Sequence, residues 1–273
     1  MRVPPAPVGD LEVIGHRGDP VRAPENTLPA IRSAILAGAD AVEWDIHVCG
    51  SGEPVLIHDP TVDRTTNGSG EVADLSLSRL RELDAGRWFG KDHAGTRIPT
   101  LAEALDLVEG TDVGIHCEIK AIRTPSDAAT VLTAFRSRDH LSRSFLISFH
   151  DEILDALLLH ETEGGDGALP RRTAHPLRIG RIVGRDEGLD GPLERVRGRP
   201  GSVLSPDRRI LLTDPERTRG WVEEGLALSP WTVDDPAEAE ALVGMGVPRL
   251  TTNRVREMLE WRANRTPRGG GRT

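Results

Sequence analysis

The sequence predicts an α/β fold and, within that class, a (β/α)8 barrel. Short apolar runs alternate with segments of helical periodicity over most of the 273 residues. Eight of the runs are candidate strands, and several of them end in polar residues, as strands do at the functional face of such a barrel. A doubly wound parallel sheet has the same alternation and is the structural alternative.

The candidate strands and helices follow each other in a regular order. The apolar runs predict strands near residues 12–16, 41–48, 114–119, 144–149, 176–183, 202–205, 227–233 and 249–252. The periodic segments predict helices near residues 26–37, 100–109, 126–138, 151–160, 214–224, 236–244 and 253–262. The interval 161–213 is rich in Gly, Arg and Asp and has weak periodicity, so the sequence defines the fifth and sixth units poorly.

The first strand ends in two residues that local structure does not explain. His16 and Arg17 directly follow a short apolar run, at the point where the strand gives way to a loop. The next helix has ordinary signals, because Asn26 or Thr27 can cap it and a proline suits its first turn. Glu25 and Asn26 are further candidates for orienting groups in a site, although helix capping alone accounts for Asn26.

The alternation is interrupted after the second strand. The segment PVLIHD (54–59) can pair back on that strand through a glycine-containing turn, and a polar stretch follows it. We therefore expect an insertion at about residues 60–97 on one βα loop, within a single catalytic domain over residues 1–262. The Gly- and Arg-rich residues 263–273 are expected to form a disordered tail.

Composition argues against several classes of protein. The net charge of −9 and the pI near 5.5 argue against nucleic acid as the main partner, because phosphate backbones select basic surfaces. Cys49 and Cys117 are too few for a disulfide framework, so we expect them to pack as small apolar residues. The N-terminus lacks an apolar signal core, and no apolar run approaches the roughly 20 residues of a membrane span. These features predict a cytoplasmic protein without stable membrane insertion, and they leave its oligomeric state open.

The second strand, AVEWDIHV (41–48), has one polar face. Side chains alternate along a strand, so Glu43, Asp45 and His47 share a face while apolar residues occupy the other. A surface strand of an antiparallel sheet shows the same alternation and is the alternative interpretation. In a parallel barrel both faces are covered, and carboxylates that point inward there need compensation.

The segment GIHCEIK (114–120) repeats this pattern. His116, Glu118 and Lys120 lie on one face, and apolar residues lie on the other. Lys120 has two interpretations, which are an ion pair with a neighbouring carboxylate and a phosphate ligand. His47 and His116 share faces with the carboxylates and are weaker candidates for supporting roles.

Three carboxylates from these two strands can converge near the barrel mouth. Glu43, Asp45 and Glu118 would repel one another in a poorly hydrated site, so either their pKa values rise or a cation holds them together. Oxygen ligands alone favour a hard cation, and we expect one divalent ion, Mg²⁺ or Ca²⁺.

Two histidines stand at strand ends beside this candidate metal site. His16 and His58 each follow an apolar run, and as a pair they suit general acid–base catalysis, because an unperturbed histidine titrates near pH 6.5. Arg17 would hold a negatively charged substrate, although an ion pair with a neighbouring acid of its loop is the alternative. Trp231 either packs in the core or stacks on a ligand.

These residues resemble the glycerophosphodiester phosphodiesterase family. The likeness covers nearly the whole chain in the family's order, and the ordered set is far more specific than any one piece. The matching segments are HRG with PENT (within 16–27), GADAVEWD (38–45), PVLIHD (54–59), DRTTNGSGEV (63–72), IPTLAEAL (98–105), CEIK (117–120), WTVDD (231–235) and TTNR (251–254).

The resemblance implies a TIM barrel with a small subdomain inserted after the second strand. It also implies hydrolysis of glycerophosphodiesters to an alcohol and sn-glycerol 3-phosphate. The family's roles fall on three groups of residues: an acid–base pair (His16, His58), ligands of a divalent metal (Glu43, Asp45, Glu118), and contacts to phosphate or the substrate groove (Arg17, Lys120, Trp231).

Two further functions remain open at this stage. A lysophospholipase D-type or cyclising phosphodiesterase on the same barrel would have an apolar groove rim and would act on micelles. A non-catalytic barrel that only binds phosphodiesters would be expected to lack at least one acid–base or metal residue. The matched set is intact, which favours an enzyme with a small-molecule glycerophosphodiester substrate.

Overall fold

The computed structural model describes residues 11–162 and 176–265. In these two ranges the strands are β1 (Glu12–Gly15), β2 (Ala41–Val48), β3 (Pro54–Leu56), β4 (Gly114–Ala121), β5 (Ser144–Ser148), β6 (Ile179–Val183), β7 (Val203–Pro206), β8 (Ala227–Leu228) and β9 (Arg249–Thr252). The α-helices there are α1 (Leu28–Ala37), α2 (Leu77–Leu80), α3 (Leu101–Val108), α4 (Pro125–Arg136), α5 (Asp151–Thr162), α6 (Asp190–Arg197), α7 (Arg208–Thr213), α8 (Pro215–Glu223), α9 (Pro236–Gly244) and α10 (Val255–Asn264).

The strands form one sheet whose two ends meet. Their order is β8-β7-β6-β5-β4-β2-β1-β9, all parallel, and β3 pairs antiparallel with β2. Between the chain after β8 and β9, the Val233 N–H donates to the Thr251 carbonyl at 2.8 Å, and the Thr251 N–H donates to the Pro230 carbonyl at 3.1 Å. These bonds close the sheet, which confirms the barrel and excludes the open doubly wound sheet.

The register between β2 and β4 decides what lines the barrel. Glu43 lies opposite His116, and Asp45 lies opposite Glu118. Partners in a parallel pair project to the same side, so both polar faces point into the barrel. The opposite faces carry apolar residues such as Trp44, which are fully buried in the main core between sheet and helices. The antiparallel surface strand considered for 41–48 is therefore wrong.

The chain between β3 and α3 forms the subdomain inserted after the second strand. It is anchored to the barrel where the Leu56 N–H donates to the Pro99 carbonyl at 2.8 Å. The segment has a small hydrophobic cluster of its own, separate from the cores under the helices, which includes Val62, Val72, Leu80, Leu83 and Ile98. This cluster fixes a loop that would otherwise be too long and polar to hold one conformation.

The strand predicted near 227–233 is much shorter in the structure. Only the two residues of β8 form a regular ladder. The chain still runs beside β7, because the Ser229 and Trp231 N–H groups donate to β7 carbonyls at 2.9 and 3.1 Å. Pro230 lies between them and has no N–H, so it cannot continue a ladder.

Outside the inserted segment, the helices differ from the prediction in three places. The helix predicted over 214–224 is confirmed as α8, but an additional short helix, α7, precedes it and ends before Asp214, because Pro215 disfavours helical geometry in the residue before it. Helix α6 lies in the weakly periodic interval, for which the sequence predicts no helix. Helix α10 ends at Asn264, within the predicted tail 263–273, and the tail from 266 onward lies outside the described residues.

The two cysteines behave as the composition predicts. Cys49 and Cys117 are buried and free, and they pack in apolar clusters as predicted.

Among the described residues, every helix falls short of the length and apolar character that a transmembrane span requires.

Candidate active site

A tight turn places His16 at the mouth of the barrel. Its N–H still donates to the Thr252 carbonyl of β9 at 2.9 Å, so it extends β1 by one residue. Arg17 and Gly18 then have φ values of 58° and 89°. A Cβ on Gly18 would lie 2.5 Å from the backbone of α1, so only glycine allows the turn to pass this close to the helix. The turn directs the Arg17 N–H to Glu43, whose Oε2 accepts it at 2.8 Å.

The imidazole of His16 is held by a neutral amide. Its Nδ1 lies 2.8 Å from Oδ1 of Asn253, and Nδ2 of Asn253 donates to Asp234 at 2.8 Å. Because the Asp234 carboxylate only accepts, it turns the amide oxygen of Asn253 towards His16. His16 therefore carries its proton on Nδ1, which leaves the lone pair on Nε2. Burial, with a smaller effect from Arg17, lowers the pKa of His16 to about 4 and keeps the ring neutral.

The imidazole of His58 is held by a carboxylate. Its Nδ1 lies 2.7 Å from Oδ1 of Asp59, and Nε2 of His47 lies 3.1 Å from the backbone oxygen of His58. Burial lowers the pKa of His58, while the negative charges of Asp45 and Asp59 act in the opposite direction. The two histidines thus differ in their partners, because an amide holds one ring and a carboxylate holds the other.

Three buried carboxylates meet inside the barrel next to these histidines. Glu43, Asp45 and Glu118 each place one oxygen within 4.8 Å of the others. Burial, followed by repulsion from the other two carboxylates, raises the pKa of Glu43 well above its usual value. Burial and the charge of Asp45 raise the pKa of Glu118 to about 8. Burial also opposes ionisation of Asp45, but Lys120 and Arg17 outweigh it and lower the pKa of that carboxyl.

The donor set of this triad fits a hard divalent cation. Oδ1 of Asp45 and Oε1 of Glu118 are buried and accept no hydrogen bond. Lys120 Nζ lies within ion-pair distance of both, at 3.2 and 2.7 Å, but neither contact has hydrogen-bond alignment. Asn26 fixes Asp45 from behind, because its Nδ2 donates to Oδ2 at 2.8 Å and its Oδ1 accepts the Asp45 N–H at 3.0 Å. Oriented carboxylate oxygens are the ligands that Mg²⁺ and Ca²⁺ prefer.

Two cations line the same cavity. Nη1 of Arg17 donates to Oε1 of Glu25 at 2.7 Å, and Nε lies 3.1 Å from Oδ2 of Asp45. The loop ion pair considered for Arg17 is therefore present, and its partner is Glu25. Lys120 forms the ion pairs with Asp45 and Glu118 described above, so the ion-pair interpretation of Lys120 is also present. Neither pairing removes these cations from the cavity, because both side chains still line it.

The cavity has a volume of about 240 Å³ and two unlike walls. The charged wall carries the two histidines, the two cations, and two members of the triad, Glu43 and Glu118. The other wall is apolar, and Trp231 stands in it with its Nε1 donating to the Ser205 carbonyl at 2.9 Å. The Phe149 ring meets Trp231 edge-on at 5.7 Å between centroids. The remaining apolar lining comes from Ile147 and Ile182.

His116 lies opposite Glu43 in the register of β2 and β4, and it lines the same cavity. Its ring centroid is 5.0 Å from that of Phe145, and its Nε2 is 4.0 Å from Glu12. Burial lowers the pKa of His116 to about 3. His47 supports the backbone of His58, as described above. Of the two weaker candidates, His116 therefore lines the cavity and His47 supports His58 from beside it.

Several residues that orient the site are missed by sequence reasoning. Asp59, Asp234 and Asn253 occur within motifs of the family resemblance, but the sequence gives them no partner. For Asn26 the sequence leaves two roles open, a cap of α1 shared as an alternative with Thr27 and an orienting group in the site; the Thr27 side chain caps the helix, and Asn26 holds Asp45. The signal for Asn26 was its place beside Glu25, the other residue expected to orient a group in the site.

The structure brings together every site residue that the sequence predicts. His16, Arg17, Glu43, His58, Glu118, Lys120 and Trp231 line one cavity, and Asp45 is joined to it through the triad. Comparison with known proteins shows which family the chain belongs to. The model of the glycerophosphoryl diester phosphodiesterase family matches residues 16–156.

Two full-length comparisons extend beyond the matched segment. The chain is 34% identical over 244 residues to a glycerophosphodiester phosphodiesterase of Caldanaerobacter subterraneus subsp. tengcongensis, covering 88% of this chain and 93% of that protein. It also resembles the crystal structure of a glycerophosphodiester phosphodiesterase from Agrobacterium tumefaciens, with a TM-score of 0.73, 26% identity, and 90% and 97% of the two chains covered.

A third comparison supports the fold alone. A phosphodiesterase of Oleispira antarctica, whose structure contains sn-glycerol-3-phosphate, superposes with a TM-score of 0.79 at 24% identity, covering 92% of this chain and 96% of that one. Because the family model, the sequence relative and the fold agree, this chain belongs to the glycerophosphoryl diester phosphodiesterase family and is an enzyme of that class.

Proposed function

We propose that this protein hydrolyses glycerophosphodiesters to an alcohol and sn-glycerol 3-phosphate, using a divalent cation and two histidines. One observation carries the proposal: a single cavity is lined by two differently held histidines, two cations, and two carboxylates, Glu43 and Glu118, which form a triad with Asp45. The family supports the substrate class, because the sequence relative that spans most of this chain is named a glycerophosphodiester phosphodiesterase.

Glu43, Asp45 and Glu118 are the residues that would hold the cation. When bound, Mg²⁺ or Ca²⁺ supplies positive charge that offsets the charge of the phosphodiester and of its transition state. The triad would serve as ligands only when all three groups are ionised, and Arg17 already donates its N–H to one of them. We propose one such ion for each chain.

Arg17 and Lys120 would bind the non-bridging oxygens of the phosphate. Both already neutralise carboxylates of the site, through contacts to Glu25, Asp45 and Glu118. These contacts hold the two cations in the cavity before substrate arrives, so little side-chain entropy remains to be lost on binding. Charge that grows on the phosphate oxygens in the transition state is then stabilised by groups that need no reorganisation.

The hydrogen-bond partners of the histidines support a different role for each in the first step. His16 is paired with a neutral amide and presents a lone pair on Nε2, so it would accept the proton of the nucleophile, which is water or the glycerol hydroxyl of the substrate. His58 is paired with the Asp59 carboxylate, which favours the imidazolium. His58 would therefore donate its Nε2 proton to the oxygen of the departing alcohol as the P–O bond breaks.

The apolar wall around Trp231 would receive the uncharged part of the substrate. Its aromatic ring is fixed by a hydrogen bond to a backbone carbonyl and by edge contact with Phe149. A fixed ring offers contact area at low entropic cost. The charged wall would then face the phosphate while the apolar wall faces the carbon skeleton.

The test is a metal-dependence assay. The protein is stripped with chelator, and release of sn-glycerol 3-phosphate from glycerophosphocholine and glycerophosphoethanolamine is followed after Mg²⁺, Ca²⁺ or Mn²⁺ is restored separately. We expect no release without cation and release with at least Mg²⁺ or Ca²⁺. Absence of release with every cation, from protein shown to be folded, would refute the proposal. It would favour either activity on lysophospholipid micelles or a barrel that binds phosphodiesters without turnover.

Two other expectations stay predictions. We propose that residues 1–262 act as one catalytic domain, and limited proteolysis of the metal-loaded protein tests this by the size of the resistant fragment. A cytoplasmic location is likewise a prediction, which fractionation of cells that express the full chain would test.

A further inference from the structure

One arginine of the inserted segment makes four hydrogen bonds at the edge of the site. Arg64 donates from Nε and Nη2 to the two oxygens of Asp59, at 2.6 and 3.1 Å. It also donates from Nη1 and Nη2 to the two oxygens of Glu25, at 2.9 and 2.8 Å. All three nitrogens of its guanidinium are thus engaged, with two carboxylates each bound through both oxygens.

Each of these carboxylates holds a residue of the proposed chemistry. Oδ1 of Asp59 lies 2.7 Å from Nδ1 of His58. Oε1 of Glu25 accepts from Nη1 of Arg17 at 2.7 Å. A single guanidinium therefore connects, through one carboxylate on each side, the proposed acid and the proposed phosphate ligand.

The exposure of Arg64 argues against a purely structural role. Its side chain is 45% exposed, and ion pairs at such positions contribute little to stability because water screens them and ordering the side chains costs entropy. The pKa of Arg64 is raised by its hydrogen bonds to Glu25 and Asp59, so the guanidinium stays charged. The main effect of these contacts is orientation, because the planar guanidinium of Arg64 fixes the rotation of both carboxylates.

We propose that Arg64 is a positioning residue for the reaction, which aligns His58 through Asp59 and Arg17 through Glu25. The proposal rests on the function proposed above. It gives the inserted segment a part in the chemistry, because folding of that segment delivers Arg64 to the barrel mouth. The hydrogen bonds and ion pairs of Arg64 go to Asp59 and Glu25, and it acts on His58 and Arg17 only through these carboxylates.

The test compares Arg64→Met and Arg64→Lys with a matched control. We expect Arg64→Met to lower kcat/KM on glycerophosphocholine by about 10- to 100-fold, the range typical of a group that orients a functional residue through a carboxylate. Arg64→Lys should retain only part of the wild-type kcat/KM, because one ammonium group cannot bind both oxygens of two carboxylates. Arg79→Met is the control, since Arg79 lies in the same segment, is 56% exposed and pairs with Glu82. It should leave kcat/KM unchanged.

Two readouts separate positioning from a general structural effect. The loss in kcat should be smaller on the p-nitrophenyl ester of glycerol 3-phosphate, whose leaving group departs without a proton from His58. Arg64→Met should also cause a smaller loss in an Asp59→Asn background than in the wild type, because the path to His58 is already cut and only the path to Arg17 through Glu25 remains. Equal losses on both esters together with additive effects would overturn the proposal, as would wild-type kcat/KM in Arg64→Met.

Binding of sn-glycerol 3-phosphate gives a measure that does not depend on turnover. Calorimetry on the metal-loaded protein should show weaker binding in Arg64→Met, because Arg17 loses the support of Glu25, and unchanged binding in Arg79→Met. If the wild-type protein binds this ligand but hydrolyses no diester, the proposed function fails while the alignment of Arg17 is still tested. Equal affinities in wild type and Arg64→Met would then overturn the proposal for Arg17.

Discussion

Oδ1 of Asn253 lies 2.8 Å from Nδ1 of His16, although 237 positions separate the two residues in the chain. The contact joins the loop after the first strand to the loop after the last one, at the seam where the barrel closes. It also decides the chemistry of His16, because an amide supports a neutral ring while the carboxylate beside His58 supports a charged one. The contact that joins the two ends of the barrel therefore also orients the proposed base, His16.

We expect the two histidines to respond differently to the leaving group. His16→Ala and His58→Ala should each lower kcat on glycerophosphocholine by about 10²–10⁴-fold, the usual contribution of one acid or base. On the p-nitrophenyl ester, His58→Ala should recover most of its activity, because nitrophenolate departs without a proton, and His16→Ala should not. Recovery in His16→Ala instead would reverse the two roles. Near-wild-type turnover of both variants on glycerophosphocholine would remove the pair from the mechanism.

We expect Asp234→Asn to lower kcat with little change in KM. The new amide can donate as well as accept, so Asn253 is free to turn its NH₂ towards His16 and to favour the wrong tautomer. Asp235→Asn is the matched control, because Asp235 caps α9 with a side-chain oxygen and asparagine caps equally well. Steady-state kinetics of both variants tests this prediction. If Asp234→Asn has the same kcat as the wild type, Asp234 does not orient His16 through Asn253.

We expect Glu43→Gln to reduce the stabilisation of the protein by cation. In the wild type, Tm should rise with Mg²⁺ or Ca²⁺, because a ligand that binds only the folded state stabilises it. Glutamine removes one negative ligand but still accepts the Arg17 N–H that Glu43 accepts at 2.8 Å. Calorimetric titration of chelator-treated protein should therefore give weaker cation binding in a folded variant. Unchanged affinity would exclude Glu43 as a ligand.

We expect His140 to make the fold sensitive to mild acid. Arg143 donates to its Nδ1 at 2.8 Å, and Nε2 lies 3.1 Å from the Leu105 carbonyl, so the ring is neutral with its proton on Nε2. Burial and Arg143 lower the pKa of His140 below 6.5. The unfolded chain then binds this proton at higher pH than the folded one, so the stability that His140 contributes is present above pH 6.5 and is lost as the pH falls below it.

Denaturant unfolding between pH 7.5 and roughly pH 5 checks this prediction, since 6.5 is the ordinary pKa of histidine. The free energy of unfolding should fall with pH in the wild type and fall less steeply in His140→Gln, which cannot take up the proton. If the free energy of unfolding falls equally steeply with pH in both proteins, His140 does not contribute to the acid sensitivity of the fold. His93→Gln serves as the control, because His93 is not buried in the fold.

The sequence predicts the barrel and its carboxylates because both follow from local pattern. Alternation along 41–48 and 114–120 places Glu43, Asp45 and Glu118 on faces that a parallel sheet must turn inward. No distant contact is needed for that conclusion, only the two-residue period of a strand. The order of the strands is then enough to bring the three carboxylates together.

Sequence reasoning fails where a residue's role depends on a partner far along the chain. Asn253 meets His16 across the barrel seam, and Arg64 meets Glu25 across 39 positions. No period or cap signal marks such pairs. The seventh barrel strand is overpredicted for a related reason, because the chain around Pro230 stays beside β7 through hydrogen bonds that are too irregular for a ladder.

The products formed from glycerophosphocholine test the central claim most directly. Phosphorus NMR of the reaction, with cation-loaded protein and a chelated control, identifies which P–O bond breaks. We predict one new signal, that of sn-glycerol 3-phosphate, growing only in the presence of cation as choline is released. Formation of phosphocholine and glycerol, or no conversion by folded and cation-loaded protein, would contradict the account.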